Sequence, residues 1–307
     1  MRFWFVIVLA LAGCPGKPAP APAQDAQVEA VEDVPEAAQG PAIMPIDPAT
    51  FEIEVKTRDR RNMVKVPGSA FLRGSVDGVG DENERPQTSV RLETFWIDRT
   101  PVTVEQFGRC VEARRCKETT FQVGREHDKQ LTRPEDCNYG TKGREEHPMN
   151  CVSYFGAQAY CRWAEKKLPT EAQWEKAARG SDGRRYPWGN TPLTCERACV
   201  GSAGGKKCPN EEGALTCKAG AREPGASPYG ALDMAGNVWE WTDDGWSATF
   251  YKDDPETNSP ANTSRTPDHP VRGGSASSTP AALRTARRIP LPAEATPAFA
   301  GFRCALD

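Results

Sequence analysis

The sequence predicts an α+β fold in which loops take an unusually large share. Alternating apolar residues mark strands in the first part of the body, and three capped helix starts follow them. The chain also carries 27 glycines and 27 prolines among its 307 residues, and such residues interrupt regular elements. With 38% hydrophobic residues and a mean hydropathy of −0.63, it can bury a core but is not a polytopic membrane protein.

The first predicted elements of the body are two strands and a helix. Residues 71–74 and 90–98 read as strand, polar loop and strand. The second strand shows β-type alternation of apolar side chains at Val90, Leu92 and Phe95. A helix is predicted to start at Thr103, because Thr-Val-Glu-Gln has the spacing of a capping box, in which the threonine oxygen and the glutamine side chain bind opposite free amides.

Two further helices follow in the sequence. Ser153 precedes a predicted helix over residues 154–165, with apolar side chains on neighbouring turns at Phe155, Ala159 and Trp163. A second capping box begins at Thr170, and Gly180 is expected to end that helix with a left-handed residue. Residues after 180 are expected to form turns and short segments.

Charge and composition exclude several classes of function. The 39 lysines and arginines and 42 acidic residues give a formal net charge of −3, so no nucleic-acid partner is expected, because such a protein needs a basic face. Eleven cysteines indicate an oxidising compartment. Only three histidines are present, which leaves little scope for a His-rich metal oxidase: His127, His147 and His269.

The amino terminus indicates export. Arg2 is followed by a short apolar run and then by Leu-Ala-Gly ahead of Cys14. This apolar run is too short to span a bilayer. This ending resembles the bacterial lipoprotein signal, in which the cysteine is acylated and becomes the first mature residue. A plain signal peptide with an incidental cysteine is the alternative. Acylation would anchor a soluble body to the membrane, and Pro15 after the cysteine favours the outer membrane of the cell envelope.

The chain is therefore divided into three parts. Residues 1–13 are assigned as the lipoprotein signal peptide. Residues 14–57 are rich in proline, alanine and acidic groups and are expected to form a lipidated, disordered tether, because they offer little to bury. Residues 58–307 are expected to form a single domain, since they contain no second linker and no internal repeat.

Seven motifs in this body occur in the order found in one known family. They are HPMNCVS (147–153), LPTEAQWE (168–175), YPWGN (186–190), SPYG (227–230), MAGNVWEW (234–241), VRGGS (271–275) and GFRC (301–304). Together they resemble the formylglycine-generating enzymes, or sulfatase-modifying factor domains, from about Val66 to the last residue. The resemblance implies a C-type-lectin-like α+β fold that is loop-rich and stabilised by disulfides and calcium.

The resemblance also implies a reaction for which this chain lacks the residues. Active members oxidise a substrate cysteine to formylglycine with oxygen and copper(I), held by two cysteines between the GGS and GFRC motifs. Soft thiolates suit copper(I), but no cysteine occurs between Cys217 and Cys304. Ser278 stands near the place of the first and Leu283 near that of the second. Neither side chain holds copper(I), so copper is not expected.

Three residues are groove candidates. By resemblance, Ser275 and Trp239 match positions that line the pocket of active members, and Ser278 takes the place of a copper ligand. Each also has a purely structural interpretation, because Trp239 could belong to the core and Ser275 could bond the backbone.

Calcium is the metal that the resemblance supports. One family site uses a side-chain oxygen, two backbone carbonyls and a carboxylate, which here correspond to Asp233, Gly236, Val238 and Glu240. Oxygen ligands from a tight loop fit this hard cation, and its role would be structural. The alternative is a solvated acidic loop that continues into Asp243 and Asp244. A second family site is not expected, because Cys199 stands where that site has asparagine.

The cysteines other than Cys14 number ten, and an even count in an exported domain predicts disulfides. The resemblance pairs Cys161 with Cys304, a bridge across more than a hundred residues and worth about 4 kcal/mol. Proximity suggests two further pairs, Cys110 with Cys116 and Cys137 with Cys151. The last four could form disulfides or a four-thiolate zinc site, and export favours disulfides: Cys195, Cys199, Cys208 and Cys217.

Two classes of function remain open at this point. The first is a non-catalytic module that binds or scaffolds a peptide, glycan or protein partner at the envelope. The second is an enzyme, either the family's formylglycine-generating oxidase or other chemistry on the same fold. Sulfoxide synthases of this fold need an iron-binding histidine set and a helical domain, which this chain lacks. A serine hydrolase would need a base beside Ser275 or Ser278, for which His269 is the nearby candidate in sequence.

Overall fold

A computed structural model describes residues 53–55, 62–117, 134–209, 215–253 and 266–307. All of them belong to one unit, Ile43–Asp307. Cys14, the signal peptide and most of the predicted tether lie outside the described residues. Within the described ranges, no helix is both long and apolar enough to cross a bilayer.

The described residues form twelve strands and four α-helices. In chain order the strands are β1 Ile53–Val55, β2 Asn62–Val66, β3 Ser69–Arg73, β4 Thr88–Leu92, β5 Phe95–Asp98, β6 Ser202–Ala203, β7 Lys206–Lys207, β8 Trp239–Trp241, β9 Asp268–Arg272, β10 Arg288–Pro292, β11 Ala300–Gly301 and β12 Ala305–Leu306. The helices are α1 Val104–Glu112, α2 Tyr154–Trp163, α3 Glu171–Arg179 and α4 Phe250–Asp253. Long loops connect them, as the glycine and proline content predicts.

Two four-stranded sheets organise the domain. The first has the order β1-β2-β5-β12 with antiparallel neighbours, so the first and last strands of the domain share one sheet. The second has the order β10-β9-β8-β11, in which β11 runs parallel to β8 and the other pairs are antiparallel. The strands β3 and β4 form a separate hairpin, as do β6 and β7.

Two main clusters of buried side chains form the core. One joins α1, α2 and the second sheet, where the Phe107 ring stacks on Tyr160 with a centroid distance of 5.7 Å and meets Phe302 edge-on at 6.2 Å. The other joins α3 with the β3–β4 hairpin and the first sheet, around Trp174 and Phe71. Each large apolar side chain removed from water contributes about 1.5–3 kcal/mol.

The predicted helix starts are confirmed. Thr103 Oγ1 accepts from the Gln106 amide at 3.3 Å, while Gln106 Oε1 accepts from the Thr103 amide at 2.9 Å. Thr170 and Gln173 make the same reciprocal pair. Gly180 ends α3 with a φ of +70°, a conformation that glycine adopts without cost.

The predicted strand over residues 90–98 is wrong in one respect. It comprises two strands, β4 and β5, which belong to different sheets. The chain turns between them at Glu93 and Thr94, and the Thr94 hydroxyl accepts from the Gly68 amide at 2.9 Å. The turn places Leu92 against the β3 strand and Phe95 against β2.

The second helix also differs from the prediction. It ends at Trp163, and Glu165 beyond it has a φ of +64°. The apolar side chain of Phe155 is 51% exposed. The buried face instead contains Tyr154, Ala157, Tyr160 and Cys161, because residues three and four apart share one side of a helix.

The start of the domain lies before the predicted boundary. Strand β1 pairs with β2, with Ile53 opposite Val64, so residues assigned to the tether belong to the first sheet. The folded part therefore begins ahead of residue 58.

Five disulfides connect the described cysteines. The predicted pairs Cys161–Cys304, Cys110–Cys116 and Cys137–Cys151 are confirmed. The remaining four pair as Cys195–Cys208 and Cys199–Cys217. Because their sulfurs are bonded to each other, the four-thiolate zinc hypothesis is wrong.

Candidate functional site

A turn of three serines follows β9. The Ser275 amide donates to Ser278 Oγ at 2.9 Å, and Ser275 Oγ lies 3.1 Å from Ser277 Oγ and 3.2 Å from Ser278 Oγ. Ser275 is buried, Ser278 is half-buried and Ser277 is exposed. The structure therefore brings two groove candidates, Ser275 and Ser278, into one hydroxyl cluster that reaches the surface. We call residues 275–278 the serine turn.

Two glycines before the serine turn allow its approach to the core. Gly273 and Gly274 have φ values of +94° and +73°, which favour glycine. A Cβ on Gly274 would lie 2.7 Å from Leu283 Cδ2 and 3.0 Å from the Ala282 carbonyl oxygen. Any side chain there would push the serine turn away from the turn of helix that carries Leu283.

The backbone of Ala276 ties the serine turn to the loops beneath it. Its carbonyl accepts from the Gly201 amide at 2.7 Å, and its amide donates to the Asn237 carbonyl at 3.0 Å. The Cys199–Cys217 disulfide packs against its side chain. The serine turn is thus fixed from two sides.

The third groove candidate lies elsewhere. Trp239 is only 5% exposed and belongs to the core cluster of the second sheet with Val271 and Phe302. Leu283, at the place of the second copper ligand, is fully buried in another cluster with Tyr186. Of the three groove candidates, the two serines therefore lie together in the serine turn, and the aromatic one packs in the core.

Every cysteine of the described residues is in a disulfide. The part of the chain that the structure describes therefore offers no thiolate for copper(I), which needs soft ligands of that kind.

The hydrolase hypothesis finds no support in the position of His269. Its Nδ1 lies 2.7 Å from the Asp244 carbonyl oxygen, and its ring stacks on Tyr154 with a centroid distance of 3.6 Å. Burial lowers its pKa. Within the described residues it makes no hydrogen bond to Ser275 or Ser278, so the base that a serine nucleophile needs is not in place.

The candidate calcium residues lie in one buried loop and strand. Asp233 has a φ of +56°, and its Oδ2 accepts from the Gly220 amide at 2.6 Å. Burial raises the pKa of this carboxyl, so a cation beside it would offset the cost of keeping it ionised. No group of three or more His, Cys, Asp or Glu side chains suited to a metal occurs in the described ranges. A site here depends on the carbonyls of Gly236 and Val238.

Glu240, the fourth candidate ligand, already has strong partners. Its Oε2 accepts from Arg303 Nε at 2.6 Å and from Trp174 Nε1 at 2.7 Å, and its Oε1 accepts from Arg303 Nη2 at 2.7 Å. A carboxylate has about four acceptor positions, so Oε1 retains one. The four candidate groups supply only oxygen atoms, the ligand type that calcium takes. Arg303 attracts the Asp233 carboxylate electrostatically but forms its direct ion pair with Glu240.

A buried ionic network behind the serine turn was not foreseen. Arg272 donates to Glu171 Oε1 at 2.7 Å and to Glu175 Oε2 at 2.8 Å, and Arg288 donates to both Glu171 oxygens at 2.7 Å. Burial raises the pKa of Glu175, but Arg272 and Arg179 outweigh it and the pKa falls to about 2. The network fixes β9 against α3. Its sequence signal was the charged residues inside the LPTEAQWE and VRGGS motifs.

The fold and these residues define a loop-rich α+β domain of the C-type-lectin-like class. The chain belongs to the formylglycine-generating-enzyme family, because the family model described as "Sulfatase-modifying factor enzyme 1-like domain" matches residues 50–307. The resemblance predicted from the seven motifs is confirmed.

Named relatives agree with this assignment. The chain is 32% identical over 287 residues to the formylglycine-generating enzyme of Streptomyces coelicolor, covering 82% of this chain and 91% of that protein. It is 30% identical over 210 residues to the "Inactive C-alpha-formylglycine-generating enzyme 2" of Bos taurus, covering 59% and 70%. The solved structure of PvdO from Pseudomonas aeruginosa superposes with a TM-score of 0.67 at 22% identity, covering 82% and 98%, and it shows the fold.

Proposed function

We propose that this chain is an envelope-anchored lipoprotein whose domain binds or scaffolds a partner without catalysing the family's oxidation. One observation carries the proposal: where active relatives hold copper(I) with two cysteines, this chain has a serine hydroxyl at Ser278 and a buried leucine at Leu283. A relative whose own name includes "inactive" indicates that the family contains such members.

The anchor is part of the same proposal. Acylation of Cys14 would attach the chain to the outer membrane, and the residues before β1 would carry the domain away from the bilayer. Metabolic labelling with a radioactive fatty acid tests it. The wild-type chain is expected to incorporate label and the Cys14→Ala variant to lose it, whereas equal labelling of both would contradict the anchor.

Calcium is proposed as a structural ligand of this domain. Asp233, Glu240 and the carbonyls of Gly236 and Val238 would hold it, and the cation would supply charge that keeps the Asp233 carboxylate ionised while buried. Its role would be to fix the loop between α3 and β8 that supports Ala276 through Asn237.

Activity provides the decisive test. The full chain, purified in detergent, is incubated with copper(I), oxygen and a Cys-x-Pro-x-Arg peptide beside the Streptomyces coelicolor enzyme as positive control. Mass spectrometry then follows conversion of the peptide cysteine to formylglycine. We expect no conversion by this chain. Conversion by the wild-type chain would overturn the non-catalytic proposal in favour of a protein-modifying oxidase. The Ser278→Ala variant would then show whether the reaction needs the Ser278 hydroxyl.

A further inference from the structure

A short basic hairpin lies beside the serine turn. Strands β6 and β7 pair with Ser202 opposite Lys207 and Ala203 opposite Lys206. The two glycines at its tip, Gly204 and Gly205, have φ values of +56° and +76°, as a tight two-residue hairpin requires. A Cβ on either would have nothing within 4 Å, so the tip projects into solvent.

The hairpin is fixed to the serine turn at its base. The Cys195–Cys208 disulfide closes it, and the Cys208 amide donates to the Gly201 carbonyl at 2.9 Å. The Gly201 amide in turn donates to the Ala276 carbonyl at 2.7 Å. Ala276 lies between two of the clustered serines, so the hairpin and the hydroxyls keep a constant relative position.

The two lysines of the hairpin are exposed cations on opposite faces. Neither Lys206 nor Lys207 forms an ion pair with any described residue. Lys206 shares a face with Ala203, which packs in the same buried cluster as Leu283, because residues opposite each other in a hairpin lie on one face. Lys206 therefore lies on the hairpin face that packs towards the cluster of Leu283, and Lys207 lies on the opposite face.

An aromatic ring with a fixed orientation borders the same cluster. Trp188 is half-buried, stacks on Tyr186 with a centroid distance of 5.0 Å and an angle of 12°, and donates from Nε1 to the Thr191 carbonyl at 3.1 Å. The Tyr186 hydroxyl lies 3.4 Å from the Pro280 carbonyl oxygen, just after the serine turn. The indole plane is thus held against the buried cluster that Ala203 of the hairpin and Leu283 share.

We propose that this surface binds an anionic saccharide, an inference that rests on the proposed binding function and names its ligand class. A flat aromatic ring offers a platform for the apolar face of a sugar ring. The serine hydroxyls donate and accept, as sugar hydroxyls require, and the Lys206 ammonium pairs with a carboxylate or phosphate. An acidic peptide would use the ammonium groups but has no sugar ring for the indole.

The experiment measures binding of the full chain to polygalacturonate by titration calorimetry. Polygalacturonate methyl ester serves as the neutral saccharide and poly-glutamate as the acidic peptide. We expect binding to polygalacturonate alone, weakening as sodium chloride rises from about 0.05 to about 0.5 M, since exposed charges are screened. Lys206→Gln should lower the affinity about threefold to tenfold, the range for one lost charged contact.

Matched variants locate the contact. Lys207→Gln, on the far face, is expected to change the affinity less than Lys206→Gln, and Trp188→Leu is expected to lower it. Glu211 and Glu212 follow the hairpin in sequence and lie outside the described residues; the double variant E211Q/E212Q should bind as tightly or more tightly. Weaker binding by that variant, or an equal effect of both lysine variants, would contradict the assignment to the Lys206 face.

Other outcomes separate this inference from the proposed function. Equal binding of poly-glutamate would replace the saccharide with an acidic peptide, and equal binding of the methyl ester would remove the role of charge. Either result overturns the inference and leaves a binding module. No binding of any of the three polymers overturns the saccharide assignment, whereas formylglycine formation in the separate activity assay is what would overturn the non-catalytic function.

Discussion

The guanidinium of Arg303 and the carboxylate of Glu240 form a two-pronged ion pair that is wholly buried. Its two bonds are 2.6 and 2.7 Å long, and neither side chain has exposed surface. Arg303 also donates to the carbonyls of Asp98 at 2.9 Å and Leu232 at 2.7 Å, while Trp174 donates to the carboxylate. One arginine thereby connects both sheets and the loop before β8.

Removal of this arginine should destabilise the domain strongly. The Arg303→Met variant leaves the Glu240 carboxylate buried without its guanidinium partner, which costs about 3–5 kcal/mol. Urea unfolding followed by tryptophan fluorescence measures the loss. Glu223→Gln is the control, because its pair with Arg99 is exposed and such pairs contribute about 0–1 kcal/mol. Equal effects of the two variants would contradict this account.

The disulfides should contribute unequally. Cys161–Cys304 spans 143 residues of sequence and Cys110–Cys116 spans 6. The entropy of loop closure therefore gives about 4–5 kcal/mol of stability for the first bridge and about 2 kcal/mol for the second. We expect the double alanine variant of the long bridge to lower the melting temperature more than that of the short one. The reverse order, measured by circular dichroism, would show that local strain rather than loop length decides.

Stability should fall as the pH drops below neutrality. Burial lowers the pKa of His269 below its usual value of about 6.5, so the unfolded chain binds a proton that the folded chain does not. The stabilisation is therefore present above about pH 6.5 and is lost as the pH falls below it. In the His269→Asn variant the new amide can still donate to the Asp244 carbonyl. We expect the urea midpoint of this variant to change less between about pH 7 and 5 than that of the wild type.

The buried ionic network should not obscure the pH dependence expected from His269. The pKa of Glu175 is lowered from 4.5 to about 2, so its stabilisation is present above 4.5 and is lost only as the pH falls towards 2. A profile that stays steep between about pH 7 and 5 in His269→Asn would assign the dependence to other groups.

Chelation of calcium should lower the melting temperature. A ligand at about 100 times its dissociation constant adds about 2.7 kcal/mol of stability. We expect EDTA to destabilise the wild-type chain and calcium to restore it, while Asp233→Asn responds less to both. Glu146→Gln is a suitable control, because Glu146 pairs with Lys218 at the surface. No response of the wild type to EDTA would refute the site.

Features governed by neighbours in sequence were predictable. The capping boxes at Thr103 and Thr170 depend on residues three apart, and both are confirmed. The break between β4 and β5 was not predictable, because it depends on partners far along the chain such as Gly68 and β2. The same holds for Phe155, whose exposure is decided by which face of α2 the second sheet covers.

The site was predictable only in its chemistry. The absence of cysteines near Ser278 could be read from the sequence, as could the Cys161–Cys304 pair through the family resemblance. The clustering of Ser275, Ser277 and Ser278 depends on backbone torsions at two glycines. The burial of Trp239 depends on side chains contributed by distant segments.

The long bridge determines how the domain carries mechanical tension. A pull between the chain ends passes directly from Cys161 to Cys304 through the sulfur–sulfur bond, so the 143-residue span between them cannot be drawn out while the bond is intact. That span contains the serine turn, the basic hairpin and the buried Arg303. A load transmitted along the chain would therefore extend only the segments outside the bridge, and the proposed binding surface would keep its shape under strain.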